Sequence, residues 1–385
     1  MKIFGYGHQN ITEDDIAAVT AVLRSDYLTQ GPKLEEFEAD ICRYTGAKYC
    51  VAVSSATAAL HIAMLAAGIK NGDEVITTPN TFVASANCAR YVGADVAFTD
   101  IDSATANIDV NKISVNDKTK AIIPVHFAGQ SCDMEAIQKL AGKSGAAVIE
   151  DASHAIGSEY KGTKVGSCAY SDMTIFSFHP VKTITTGEGG TITTNDEKLF
   201  EKLRHFRAHG ITKDSKKMSR CEGPWFYEMQ ELGFNYRMTE MQAALGISQL
   251  KRLEVFKQRR RAIVDLYKKL LNSDSRVRFL REEKYSCACF HLCPVLIDFE
   301  KLKIKKETFF EELRIAGLNL QVHYIPVYWQ PYYKKMGYEE GLCPNAEKYY
   351  RQAVSLPLYP DLSDADVEEI VDRFVKVLDK CGNLA

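Results

Sequence analysis

No stretch of 18 apolar residues occurs anywhere in the chain, which excludes a membrane-spanning helix. The opening residues Met1–Tyr6 have no apolar stretch either, so we expect no secretory leader. Neither charge dominates. The net charge is -2, and basic residues cluster only briefly, as in Arg259-Arg260-Arg261. Nucleic acid and anionic membranes are therefore not expected partners. The eleven cysteines are odd in number and scattered, which fits free thiols in a reducing cytoplasm better than a disulfide framework. There are no internal repeats and no low-complexity tracts. The chain also lacks a Walker A lysine motif, a Gly-x-Gly-x-x-Gly turn after its first strand, His-Glu-x-x-His and Gly-x-Ser-x-Gly. Each absence removes a common chemistry.

What is present is a globular pattern. The chain has 385 residues, 46% apolar and 25% charged, enough for a packed core in two or three regions. Thr12 opens a helical pattern over residues 12–25. A loop at Leu28-Thr29-Gln30-Gly31-Pro32 precedes a helix over Leu34–Tyr44. From Tyr49 the pattern alternates strand, loop and helix. Strands are predicted at Tyr49–Val53, Glu74–Thr77, Val96–Thr99, Ala121–Val125, Ala147–Glu150, Met173–Phe178 and Gly190–Thr194. Helices are predicted at Ala58–Ala67, Phe82–Val92 and Met134–Gly142. This alternation predicts an α/β fold: a mostly parallel sheet between helices, with ligands at the carboxyl ends of the strands. One long helix is predicted over Thr239–Leu271. A smaller α+β unit follows, with strands at Cys289–Ile297 and Leu320–Tyr324 and helices at Lys306–Ala316 and Ala346–Ala353. A last helix, capped by Ser363, runs to Leu378. The division predicted is 1–250 and 251–385.

Cys287, Cys289, His291 and Cys293 alternate at period two. That spacing suits one face of a strand and is poor for wrapping a tetrahedral ion, so no metal site is expected.

The residue that suggests chemistry is Lys182, in Phe176-Ser177-Phe178-His179-Pro180-Val181-Lys182 before Gly187-Glu188-Gly189-Gly190. An amine after a buried aromatic run can lose hydration, drop its pKa and condense with a carbonyl. Pyridoxal phosphate is the cofactor to test, because its other needs also have candidates. Asp151 ends a predicted strand and would keep the pyridine nitrogen protonated, or would cap the next segment. His154 would lie beside the ring or bond its 3-hydroxyl, or be a core histidine. Ala56 and Thr57 open a helix whose free amides favour a phosphate, though Ser55 there is also an ordinary cap. Ser177 offers a second hydroxyl. Phe82 would lie against the ring, or sit in the core.

The order of these parts resembles the pyridoxal phosphate enzymes of fold type I. Their local motifs resemble the DegT/DnrJ/EryC1/StrS sugar aminotransferases: Leu28-Thr29-Gln30-Gly31, Ser55-Ala56-Thr57, Pro79-Asn80-Thr81-Phe82, Glu150-Asp151-Ala152-Ser153-His154, Lys182 and Asn235-Tyr236-Arg237. Within that group, His126-Phe127-Ala128-Gly129-Gln130-Ser131, Phe178–Thr186 and Gln321-Val322-His323-Tyr324 most resemble the branch serving pseudaminic acid biosynthesis. The resemblance implies a large cofactor domain with a smaller C-terminal domain. It implies transfer of glutamate's amino group to C4 of UDP-2-acetamido-2,6-dideoxy-β-L-arabino-hex-4-ulose. Lys182 takes the role of the Schiff-base lysine and proton shuttle, and Asp151 that of the pyridine-nitrogen partner. Ala56, Thr57 and Ser177 take phosphate contacts, and Phe82 the ring contact. Asn235 would reach the phosphate of a second subunit, which implies a homodimer with shared sites. Tyr6, Asp26, Tyr27, Leu28, Thr29, Gln321, Val322, His323 and Tyr324 fall where that family holds the nucleotide sugar. Lys213–Trp225 matches nothing and is expected to be a mobile loop beside the partner's site. Arg237 would pair with a substrate anion or fix its own loop. A lysine at 182 argues against the dehydratase branch, where histidine replaces it.

Overall fold

A computed structural model of the protein describes residues 2–383. Its centre is a seven-stranded sheet: β1 (Tyr49–Val53), β2 (Glu74–Thr77), β3 (Asp95–Phe98), β4 (Thr119–Ile123), β5 (Ala147–Asp151), β6 (Met173–Ser177) and β7 (Gly190–Thr194). The spatial order is β1-β7-β6-β5-β4-β2-β3. The pairs from β6 to β3 are parallel, and β7 runs antiparallel to both β6 and β1. Every residue of β6 and β7 is buried, as expected of strands covered on both faces. The mostly parallel sheet and the Lys182 and Asp151 strands thus match the expected α/β class.

The helix Ala56–Ala66 packs against this sheet. Its small residues allow close approach, and one glycine makes the contact possible. A Cβ on Gly190 would lie 2.6 Å from the Ala56 amide nitrogen. A second glycine serves the neighbouring helix Pro32–Thr45. The Glu240 carboxylate accepts from the Lys33 amide at 2.7 Å and the Leu34 amide at 3.1 Å. It thereby satisfies two orphan donors at that helix's N-terminus. A Cβ on Gly31 would lie 2.8 Å from that carboxylate.

The C-terminal unit has a three-stranded antiparallel sheet, ordered Val277–Phe279, Cys293–Ile297, Ala353–Leu356. Helices Leu253–Leu271, Lys306–Ile315 and Asp364–Asn383 accompany it. Their shared core includes Tyr267, Val295, Phe309 and Phe374, and also Phe4 from the far end of the chain. Phe4–Gly5 pairs in parallel with Leu318–Asn319, so the N-terminal arm belongs physically to this unit. The aromatic-rich stretch reaches back to the large sheet. Tyr338 donates to the Val96 carbonyl at 2.5 Å, and Tyr333 donates to Asn87 Oδ1 at 2.7 Å. The Tyr338 contact pairs one carbonyl of the edge strand β3, which would otherwise be left without a partner.

Three expectations need correction. The stretch over Thr239–Leu271 is two helices, Glu240–Leu250 and Leu253–Leu271. No proline or glycine breaks it; Arg252 is anchored at the turn to Asp15 and Asn10. The strand expected from Cys289 begins at Cys293. The backbone before it is committed elsewhere: the Cys289 amide donates to Ser158 Oγ at 2.8 Å, and the His291 amide to the Ala128 carbonyl at 2.9 Å. Cys287, Cys289, His291 and Cys293 therefore do not share one strand face. The strand expected over Leu320–Tyr324 is reduced to Leu318–Asn319 and a single bridge between Gln321 and Ser355. Among the described residues, no group of three His, Cys, Asp or Glu side chains is placed to hold a metal ion.

Candidate active site

Four strands deliver side chains to one cleft of about 490 Å³ at their carboxyl ends. Strand β1 leads into Ser55, Ala56 and Thr57, β2 into Thr81 and Phe82, β5 ends on Asp151, and β6 ends on Ser177. Lys182 follows β6 after a turn in which its amide donates to the His179 carbonyl at 2.9 Å. All of these residues line the cleft, together with Tyr6, His154, His323 and Tyr324.

The amine is adapted to its place. Lys182 is half-buried, and burial pulls its ammonium down to about 8, against the opposing pull of Asp151. A neutral fraction, roughly a tenth at pH 7, therefore exists and grows as pH rises, which makes the amine nucleophilic and basic. Asp151 is buried, and its two oxygens are held in place. Ser85 donates to Oδ2 at 2.5 Å, and the Ser153 amide donates to Oδ1 at 3.1 Å. The helix Ala56–Ala66 presents its N-terminus to the same cleft. Ser55 Oγ already serves the Ala58 amide at 3.1 Å. The earlier amides of that turn have no intrahelical acceptor, which favours an anion. Phe82 is 59% exposed, so it stands in the cleft and not in the core.

The opposite wall comes from distant parts of the chain. His154 Nε2 lies 3.0 Å from the Tyr324 hydroxyl, and the Ala128 amide donates to His154 Nδ1 at 3.3 Å. His323 Nδ1 lies 2.9 Å from Ser355 Oγ, and burial lowers the His323 pKa to about 4. The Tyr6 and His323 rings sit 4.9 Å apart. The Tyr324 amide donates to Asn80 Oδ1 at 3.2 Å, and the Leu358 amide to the Tyr6 carbonyl at 3.0 Å.

Residues 9–375 match the model of the DegT/DnrJ/EryC1/StrS aminotransferase family. The chain belongs to that family. It is 42% identical over 380 residues to a UDP-4-amino-4,6-dideoxy-N-acetyl-beta-L-altrosamine transaminase of Campylobacter jejuni, covering 97% of each chain. The solved structure of Helicobacter pylori PseC, an aminotransferase involved in the biosynthesis of pseudoaminic acid, superposes with a TM-score of 0.91 at 33% identity. That match covers 98% of this chain and all of the other. The PLP-form of the putative sugar aminotransferase Spr1654 from Streptococcus pneumoniae also superposes with a TM-score of 0.91, at 31% identity, covering 98% and 99%. The protein is thus a pyridoxal phosphate-dependent sugar aminotransferase by family and fold.

Not every expected residue of this aminotransferase lies in the cleft of one chain. Asp26, Tyr27, Leu28 and Thr29 are exposed on the loop before Pro32–Thr45. Asn235 is also exposed, paired at a bridge with Ala208. Arg237 lines a separate polar cleft with Arg204 and Lys213. Gln321 and Val322 line a third depression, beside Lys306 and Tyr350. The polar segment Lys213–Trp225 joins two short paired strands, Ile211–Thr212 and Glu228–Met229. Sequence reasoning missed Ser85, Ser153, Asn80 and Ser355, which hold Asp151, Tyr324 and His323. Asn80 and Ser153 lie in motifs that carry the family resemblance, but the sequence did not mark their hydrogen-bonding roles; Ser85 on a helix and Ser355 on a strand carry no local signal at all.

Proposed function

We propose that the protein aminates C4 of UDP-2-acetamido-2,6-dideoxy-β-L-arabino-hex-4-ulose, with glutamate as amino donor, in pseudaminic acid biosynthesis. One observation supports the chemistry above all others: a partly neutral lysine, a buried carboxylate held by two donors, and a free helix N-terminus share one cleft. That donor set fits pyridoxal phosphate, with an amine for its aldehyde, an acid for its ring nitrogen and amides for its phosphate. When bound, the cofactor supplies an electron sink and carries the amino group between substrates.

The chain's own residues supply the rest. Lys182 Nζ would accept the proton that leaves the α-carbon of the donor and deliver it to the former aldehyde carbon of the cofactor, and would run the same exchange in reverse for the sugar. Asp151, fixed by Ser85 and Ser153, keeps the ring nitrogen protonated. Ala56, Thr57 and Ser177 would hold the phosphate, and Phe82 would supply the ring contact. Tyr6, His323 and Tyr324 face the sugar. Asp26 to Thr29, Gln321 and Val322 contact the nucleotide sugar at the margins of the site, and Asn235 completes the phosphate site of a second copy. The exposure of Trp225, Tyr227, Met229 and Leu232, on the segment that leads to Asn235, supports such a homodimer. We take residues 1–250 as the large domain and 251–385 as the small one, with the arm strand Phe4–Gly5 crossing to pack on the small domain. We place the reaction in the cytoplasm; no helix among the described residues is long and apolar enough to cross a membrane.

The experiment is a substrate panel. Purified protein with pyridoxal phosphate is expected to be yellow, to bleach on adding glutamate, and to aminate the UDP-linked 4-ketosugar. Product from dTDP-ketosugars alone would overturn the substrate assignment.

A further inference from the structure

Both ring nitrogens of His154 are engaged. The Ala128 amide donates to Nδ1, so Nδ1 carries no proton. His154 is only 6% exposed, and burial, with Lys182 and His323 nearby, keeps its pKa well below the usual histidine value. A neutral ring with a bare Nδ1 carries its proton on Nε2. His154 therefore donates to Tyr324, and the Tyr324 hydroxyl oxygen accepts. The tyrosine's own proton then points away from His154.

Tyr324 lines the cleft beside Lys182. Its ring is fixed from several sides. It stacks on His154 at 6.0 Å, meets His323 at 4.9 Å, and its amide is held by Asn80. His291 backs His154 at 4.5 Å between ring centroids. Burial, with Tyr6 and Asp151 nearby, raises the Tyr324 pKa, so the phenol keeps its proton near neutral pH.

We infer that Tyr324 is a catalytic residue that donates a hydrogen bond to an oxygen of the bound substrate, and that His154 is the positioning residue that sets its direction. The acceptor is a carboxylate oxygen of the amino donor or the keto oxygen of the sugar. The inference rests on reading this cleft as the active site.

Two measurements test it together. In the first, ¹⁵N NMR of histidine-labelled protein without substrate is expected to show His154 neutral and protonated on Nε2, with that signal shifted by Tyr324→Phe. In the second, glutamate and sugar half-reactions are followed separately in single turnovers. Tyr324→Phe is expected to slow one of them by roughly 10–100-fold with little change in substrate KM. Loss in the glutamate arm names the carboxylate, and loss in the sugar arm names the keto oxygen. His154→Leu is expected to lose as much, with no further loss in the double variant. His154→Gln, whose amide still donates to Tyr324, is expected to recover part of it. A proton on His154 Nδ1 would overturn the inference. So would Tyr324→Phe half-reactions both within about twofold of the parent. Failure of the active-site reading shows differently: the parent protein would give no yellow band with pyridoxal phosphate.

Discussion

The floor and the roof of the cleft are built by different means. The floor consists of strand ends: Asp151, Ser177, the turn to Lys182 and the helix start at Ala56. Its geometry follows from sheet pairing, because adjacent parallel strands end side by side. The roof consists of Tyr6, His323 and Tyr324, which sit on irregular backbone. Isolated hydrogen bonds to Leu358, Ser355, Asn80 and His154 hold it. A floor set by a ladder resists local change, whereas a roof hung on isolated contacts is tuned by each of them. We read the floor as the seat of the proton transfers and the roof, apart from the catalytic Tyr324, as the seat of substrate choice.

The largest expected effect breaks the floor. Lys182→Ala is expected to abolish transamination, by at least about 10³-fold in single turnovers, while leaving the fold intact by circular dichroism. Turnover that survived would move the chemistry elsewhere in the cleft.

Next is the packing under the floor. Gly190→Ala places a methyl group 2.6 Å from the Ala56 amide nitrogen, which belongs to backbone and cannot swing away. A loss of about 1–3 kcal/mol in denaturant unfolding is expected, with weakened cofactor retention in dialysis.

The pH dependence of Lys182 sharpens the comparison. The rate at which cofactor-free protein forms a borohydride-reducible adduct with pyridoxal phosphate is expected to rise with pH through a midpoint of about 8. In an unfolded chain a lysine titrates at about 10.4. Between these values the unfolded chain binds more protons, so stability rises with pH there. The cost of burying the ammonium is full below about 8 and is relieved as pH climbs through that window. Lys182→Met is expected to remove this slope from urea-unfolding measurements.

The smallest expected effect lies in the roof. Ser355→Ala removes the partner of His323 Nδ1 and is expected to cost about 1 kcal/mol of sugar binding. That cost should appear as a higher KM for the ketosugar with an unchanged glutamate half-reaction. An equal loss in both half-reactions would erase the distinction between floor and roof.

Legibility followed the same division. Lys182, Asp151 and Ala56 could be read from the chain because each stands where a strand gives way to a turn or helix. There, unpaired polar groups and unusual residues mark the spot within a few positions. His154 was legible as a residue but not as a partner of Tyr324, which lies 170 positions away. The break at Arg252 was invisible because its cause is Asp15 and Asn10. The strand expected from Cys289 failed because Ser158 and Ala128 take the backbone donors a strand would have used.

From sequence alone come the α/β class, the free thiols, and the lysine and acid that suit a carbonyl cofactor. These depend on periodicity and on residue chemistry, both local properties. Tertiary structure alone decided which residues hold Asp151 in place, which nitrogen of His154 bears the proton, and what roofs the cleft. Those depend on hydrogen bonds between groups far apart in the chain, and only folding brings such groups within 3 Å or so of one another.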